Sequence, residues 1–328
     1  MSNLRRYREA SGMSQSRLAL RAGVSRQLIG AAEAGRNVPR VDAAIALADA
    51  LGVDVAQLFA DEAPPTDVKS GGVPRDGTLV RAARVGDRIV TAPVESASGG
   101  WSVADGQIEH GTLAPFRRHA DGLVVAGCEP GLEVMARTLR EAGMGAMWVM
   151  ASSAAAIEAL TSRRVHAAVV HGPALGRYSS DLEVTRFQLS NWQVGLAAPD
   201  DAAPGWFEEA ASGRVPVVQR EQGAGVQKAF EDLAGGNVPG PRVGGHLEAA
   251  ERAVLTGIPA VTIEPTALAA GAAFHPIDRH EVQIWIADRF IDESYVTEAL
   301  HMMVSRPFQL RLQSVGGYDL SQVGALVS

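Results

Sequence analysis

Four stretches of the 328-residue sequence put polar or nucleophilic side chains where a strand pattern gives way to a helix pattern. They are Gly127-Cys128-Glu129, Ser152-Ser153, His171-Gly172 and Arg220 to Gly225, the last reading REQGAG. A helix start offers free backbone N–H groups and the positive end of its dipole, so such loops suit an anion. Arg220 supplies a charged anchor, Gly223 and Gly225 allow close backbone approach, and the Ser152 and Ser153 hydroxyls add donors. The two serines suit plain helix capping equally well. Glu129 stands in the same neighbourhood, where a carboxylate left unpaired beside an anion is strongly unfavourable. His246, at a helix start after Gly244-Gly245, is a further ligand candidate. A helix start can lower the pKa of a cysteine such as Cys128, although small buried cysteines are commonly inert. His166 and His171 share one strand at an odd spacing, face opposite sides and are not expected to share a metal. Trp192 and Trp206 are read as core aromatics that can also stack on a ligand. No spacing fits a catalytic triad, a carboxylate pair, a P-loop or a zinc motif, so no catalytic residue, metal or cofactor is expected.

A second constellation lies at the N-terminus. Residues 1–40 hold eight arginines (5, 6, 8, 17, 21, 26, 36 and 40) against Glu9 and Glu33, in a chain whose net charge is −7. Residues 41–67 hold six acids and no base. Only the first forty residues are attractive to phosphate.

Those arginines lie on a segment, Leu4 to Phe59, that reads as five short helices. Apolar residues recur at helical spacing, Ser14, Ser25 and Asp54 sit at cap positions, and Gly23 and Gly35 at stops. An Ala-Gly-Val-Ser turn between the second and third helices makes a helix-turn-helix, whose second member fits a DNA major groove. At 328 residues the length suggests two or three domains at roughly 100–200 residues each. Hydrophobic residues at 46% and charged residues at 20% are globular values. No apolar run approaches a membrane span, there is no signal-peptide pattern, and the single cysteine fits a reducing compartment, so a cytoplasmic protein without membrane contact is expected.

The first domain is expected over 1–62 and a linker over 63–77, where APPTDVKSGGVPRDG carries two adjacent prolines and a glycine pair. A strand-rich connecting segment follows over 78–121. From 122 apolar strands alternate with helices, the pattern of a parallel sheet with crossovers. The order predicts two α/β lobes over 122–328, lobe I at about 122–202 and 274–328 and lobe II at about 203–273, with a closing helix over 292–307 and a cleft between the lobes. In such sheets ligands collect at the carboxyl ends of strands, where the four loops lie.

The stretch MSQSRLALRAGVSRQLIGAAEAGRNVPRVDAAIALADALGVDVAQLF resembles the Cro/phage-repressor (XRE) class of DNA-binding domain over about fifty residues. By that resemblance Gln15, Ser25 and Arg36 touch phosphates while Arg26 and Gln27 reach base edges. The recognition helix departs from the usual pattern at Gly30, Ala31 and Ala34, and Gly30 offers only close approach or a thymine-methyl contact. Residues 120–328 resemble the periplasmic-binding-protein-like type 2 superfamily, akin to molybdate-binding domains. The markers are VVAGCEPGLEVMARTL, VHAAVVHG, REQGAGVQKAF and the late VGGYD. Oxyanion-binding relatives carry further donors in the fourth loop where this chain has Ala224, Val226 and Gln227, so the resemblance implies either an oxyanion or a small polar organic ligand.

Together these features predict a multidomain chain, an all-α five-helix domain followed by a two-lobed α/β domain. The expected function is a one-component transcriptional regulator, not an enzyme. It would bind double-stranded operator DNA as a homodimer and respond to a small-molecule effector. Two other readings stay open: a constitutive DNA-binding protein whose α/β part serves oligomerisation, and a DNA-targeted enzyme on the same fold.

Overall fold

The computed structural model describes residues 3–59, 64–94, 96–97, 100–101, 103–116, 122–178, 182–236 and 238–327. The expected domain end at 62 lies outside them. The chain divides into two compact units, one of residues 1–65, 74–80 and 94–118, the other of residues 66–73, 81–93 and 119–328.

The first unit opens with α1 (Asn3–Ala10), α2 (Gln15–Ala22), α3 (Arg26–Glu33), α4 (Val41–Leu51) and α5 (Val55–Phe59). Local chemistry sets their ends. Ser14 Oγ accepts the Arg17 N–H and Ser25 Oγ the Leu28 N–H, both at 3.1 Å, and each such cap is worth about 1 kcal/mol. Gly23 ends α2 in the left-handed region at φ 65°, which a side chain would resist. Leu4, Leu18, Ile29 and Leu47 are fully buried and Leu58 nearly so, forming one small core.

Seven strands follow: β1 (Thr66–Asp67), β2 (Leu79–Val85), β3 (Arg88–Pro93), β4 (Ser96–Ala97), β5 (Gly100–Trp101), β6 (Gly106–Glu109) and β7 (Thr112–Pro115). In the first unit β6 and β7 form a hairpin, and Leu79 and Val80 pair with β6. In the second unit Thr66 and Asp67, inside the segment read as a linker, pair in parallel with β3.

The rest of the second unit begins with β8 (Gly122–Gly127), α6 (Gly131–Glu141), β9 (Gly145–Met150), α7 (Ser153–Thr161), β10 (Ala167–His171) and the short α8 (Ala174–Arg177). β9, β8 and β10 pair in parallel, as buried apolar strands joined by helices should. A Cβ on Gly127 would lie 2.7 Å from that of Val169, so glycine is required where β8 runs beside β10.

β11 (Val184–Ala198) then runs for fifteen residues, far longer than the strand its sequence pattern suggests. After it come α9 (Trp206–Ala211), β12 (Gln219–Arg220), α10 (Gly225–Ala234), β13 (Arg242–Val243), α11 (His246–Thr256), β14 (Ala260–Ile263) and α12 (Glu264–Ala269). The chain returns through β15 (Ala273–Ala287), antiparallel to β11 along its whole length. The last half of β15 also pairs with β10, and the last residues of β11 pair with β14. Two long strands thus run through both groups of elements, and the sheet is mixed rather than all parallel.

The expected closing helix over 292–307 is two helices, α13 (Ser294–Met303) and α14 (Arg306–Val315), before β16 (Leu326–Val327). Ser305 starts the second one by accepting the Phe308 N–H, and Pro307 in its first turn cannot continue the helix before it.

Candidate functional site

On the helix-turn-helix, Arg26 and Gln27 occupy the exposed first turn of α3, and Arg36 is exposed beyond its end. Ser25 caps α3, leaving its hydroxyl proton free to donate outward. Gly30 lies beside the Gln15 amide, 4.0 Å from where its Cβ would be. The half-buried Gln15 donates to Glu33 at 2.8 Å, and Glu33 in turn accepts from Arg8 at 2.6 Å. Arg8 was read as one more positive charge for phosphate; its buried guanidinium is instead spent on Glu33, Glu9 and the Met13 carbonyl. A contact twenty-five residues apart leaves no local trace in the sequence.

In the second unit several of the expected ligand residues converge at the middle of the two long strands. Trp192 on β11 is the direct cross-strand partner of His280 on β15. The indole ring faces three imidazoles, with centroids 4.9 Å from His171, 5.5 Å from His280 and 6.2 Å from His246. Cys128, from the loop after β8, brings Sγ to 2.9 Å from His171 Nε2. Gly225, at the start of α10, packs on His171 and His280, and Arg220 ends β12 close by. Its charge acts on Cys128, His171 and His246 together.

The electrostatics of this cluster follow from burial. Desolvation pushes the Cys128 thiol up to about 12, against the opposing pull of Arg220. It pushes His171 down to about 3, helped by His280 and Arg220, and drives His246 well below its usual value. His280 is lowered by burial while Asp278 resists. The imidazoles are therefore neutral, and a neutral ring has one donor and one acceptor nitrogen. Asp278 Oδ2, 3.2 Å from His280 Nε2, accepts a hydrogen bond from its N–H. His280 Nδ1 must then accept from His171 Nδ1 at 3.1 Å, leaving His171 Nε2 as a lone pair facing the Cys128 thiol.

Arg220 is only 1% exposed. Its Nη2 donates to the Gly244 carbonyl at 2.6 Å, while Nε and Nη1 are buried with no hydrogen-bond partner. The second-unit arginine Arg164, at 2% exposure, instead spends its donors on Val68, Lys69 and Glu158. Gln227 is also committed: it accepts from the Arg220 backbone N–H and donates to Gln219 and Glu231.

Other expected residues sit elsewhere or hold the frame. Glu129 accepts from the Gly131 N–H, the Tyr318 hydroxyl and the Trp192 indole, so it orients Trp192. Burial raises its pKa and those three donors oppose the rise. Ser152 caps α7, and Ser153 Oγ accepts the His171 N–H at 3.3 Å, tying α7 to the end of β10. Gly223, at φ +83°, is exposed in the turn before α10. His166 faces away from His171, accepting the Val124 N–H at Nδ1. Sequence reasoning missed His280 and Asp278; the signal available was His280 opening the returning strand HEVQIWIADRF.

Among the described residues no helix is long and apolar enough to cross a membrane. A family model described as helix-turn-helix matches residues 4–58. No curated protein matches the chain. Among solved structures, a putative phosphate ABC transporter substrate-binding protein with bound phosphate from Clostridium perfringens is 11% identical, covering 61% of this chain and 99% of its own, at a TM-score of 0.47. An ABC-type phosphate transport receptor from Vibrio cholerae is 14% identical, covering 60% and 99%, at 0.45. The regulatory domain of MetR, a LysR family regulator from N. meningitidis, is 12% identical, covering 63% and 97%, at 0.43. Residues 4–58 thus form a helix-turn-helix domain, carried ahead of a mixed α/β domain built on two long shared strands.

Proposed function

We infer that this chain is a one-component transcriptional regulator. The helix-turn-helix, within residues 1–62, binds operator DNA as a homodimer. The α/β domain, residues 122–328, takes a small effector beside Arg220, and occupancy changes DNA affinity. One observation carries the effector half: a guanidinium 1% exposed whose Nε and Nη1 have no hydrogen-bond partner. Each buried unpaired donor costs about 1–3 kcal/mol, which an anion accepting from it would offset. The surrounding imidazoles are neutral, so Arg220 supplies the charge. The enclosure of His171, His246 and Trp192, at most 4% exposed, favours a small effector: an inorganic oxyanion or a compact metabolite with one carboxylate.

The effector must bind the DNA-competent and DNA-incompetent states unequally, because equal affinity shifts nothing. The test has two arms on the full chain. Thermal unfolding is followed with phosphate, sulfate, molybdate and small carboxylates; a ligand at 100 times its dissociation constant adds about 2.7 kcal/mol. DNA selected from a random pool is then titrated with and without the stabilising anion. Failure of every anion to stabilise overturns the effector half, and failure to select any DNA overturns the operator half.

A further inference from the structure

We propose that Cys128, His171 and His246 form a site for a divalent metal ion of zinc's borderline softness, whose open fourth position takes an anion held by Arg220. Each of the three residues offers one ligand atom, and these atoms all lie within 4.8 Å of one another. Thiolate and imidazole donors select zinc-like ions over magnesium or calcium, and three protein ligands leave one position free. Of the two carboxylates that act on Cys128, Glu129 is spent on Gly131, Trp192 and Tyr318, and Glu221 lies beside Arg220 at 4.0 Å.

Three further features fit this use. The lone pair of His171 Nε2 already faces Sγ at 2.9 Å. Zinc bonds of about 2.3 Å to sulfur and 2.0–2.1 Å to nitrogen hold such donors roughly 3.5 Å apart, so a small opening of this pair seats the ion. Behind His171, its Nδ1–H is held by His280 and His280 by Asp278. A relay of this kind, from carboxylate to imidazole, fixes ring orientation and raises the basicity of a metal ligand. His246 is 4% exposed and its Nδ1 is buried with no partner.

Binding exchanges one proton and involves no redox change. The Cys128 S–H bond breaks, the proton leaves to solvent, and sulfur bonds the ion. Thiolate, ion and Arg220 together carry excess positive charge, which the anion on the free guanidinium N–H groups reduces. Cys128 follows β8 and His171 ends β10, while His246 begins α11 in the other group, so the ion links the two halves of the domain. Only the anion rests on the effector reading given above; the three-residue metal site does not.

The full chain, reduced and stripped with a chelator, is titrated with Co²⁺. Because the sequence holds one cysteine, a thiolate-to-cobalt charge-transfer band can arise only from Cys128. The expected result is a band that saturates at one equivalent, is displaced by Zn²⁺ and coincides with protection of the thiol from alkylation. His246→Gln should weaken Co²⁺ binding by roughly 100-fold and Asp278→Asn by roughly 10-fold, following the usual effects of losing a ligand and its outer-shell partner. Circular dichroism checks that both variants fold, and the wild-type band needs neither. No band, Co²⁺ uptake without one, or a band of unchanged affinity in folded His246→Gln overturns the proposal. The band is read without DNA or added oxyanion. Its absence therefore leaves the regulator reading standing, and an oxyanion that fails to stabilise the protein leaves the band standing.

Discussion

Gln15 Nε2 donates to Glu33 Oε2 at 2.8 Å, so the first residue of α2 is tied to the last residue of α3. Arg8 completes the tie from α1, donating to both Glu33 oxygens with side chains only 9% and 5% exposed. Breaking a buried pair by removing one partner typically costs 3–5 kcal/mol, because the other charge is left unpaired. Arg8 keeps Glu9 and the Met13 carbonyl when Glu33 is removed, so Glu33→Ala should destabilise the helix-turn-helix by less, about 1.5–3 kcal/mol, while Arg8→Met with Glu33→Leu should restore most of it. Amide hydrogen exchange in α2 and α4 reads both effects. A loss below about 1 kcal/mol in the single variant would place the pair with ordinary surface bridges.

The same tie fixes α3, the helix proposed to read the operator. Arg26→Ala or Gln27→Ala should cost about 1–3 kcal/mol of operator affinity and relax base preference, whereas Arg36→Ala should weaken all sequences alike and lower the salt slope by about 1. Fluorescence anisotropy on selected and scrambled duplexes at several salt concentrations separates the cases. Unchanged sequence preference in both α3 variants would move the recognition surface elsewhere.

What the sequence revealed was mostly local. Ser14, Ser25 and Gly23 act within a turn of themselves, and the apolar strands 122–127 and 167–171 are buried on both faces and read as such. The first half of β15 is different: FHPIDR carries proline and charge, and it is a strand because β11 pairs with it, across a register shift beside Pro276. Four expected ligand loops were placed by reasoning about strand ends, yet which side chains meet was illegible. Cys128 and His171 are 43 residues apart and His171 and His280 are 109 apart. His166 and His171 face apart as their odd spacing implies, and the side chains that meet His171 lie on other elements.

Acid should unfold the α/β domain through its histidines. Burial lowers His166 to about 4, and Arg289 adds to the effect. Its Nδ1 accepts the Val124 N–H and its Nε2 lies 3.2 Å from the Tyr295 hydroxyl, so protonation at Nδ1 would break a sheet contact. Since the folded pKa lies below the unfolded value of 6.5, the contribution is present above pH 6.5. It declines as pH falls towards 4, by about 3 kcal/mol in all. His171, His246 and His280 are shifted in the same direction and steepen the decline. Urea unfolding between pH 7 and pH 4 should show His166→Gln losing up to one proton from the slope. An identical slope would mean that His166 is not held neutral.

Arg220→Met separates a residue kept for binding from one kept for structure. In the free protein the guanidinium has one short hydrogen bond, to a carbonyl on the exposed Gly244, and two unsatisfied donors. Replacing it with an apolar chain of similar length removes a buried charge and those donors, and leaves a carbonyl that water can reach. Exchanges of this kind are often neutral or stabilising by 1–4 kcal/mol, whereas removing a satisfied buried charge partner is strongly destabilising. Arg220→Met should therefore unfold at the same or a higher temperature than wild type without ligand. It should lose the stabilisation by the anion found in the screen and keep DNA binding near wild type in that anion's absence. Arg164→Met is the control: its donors are satisfied by Val68, Lys69 and Glu158, so it should be plainly destabilised. If both variants are destabilised alike, Arg220 holds the fold together and its open donors are not a ligand site. If Arg220→Met is stable and still responds to the anion, the effector binds elsewhere in the domain.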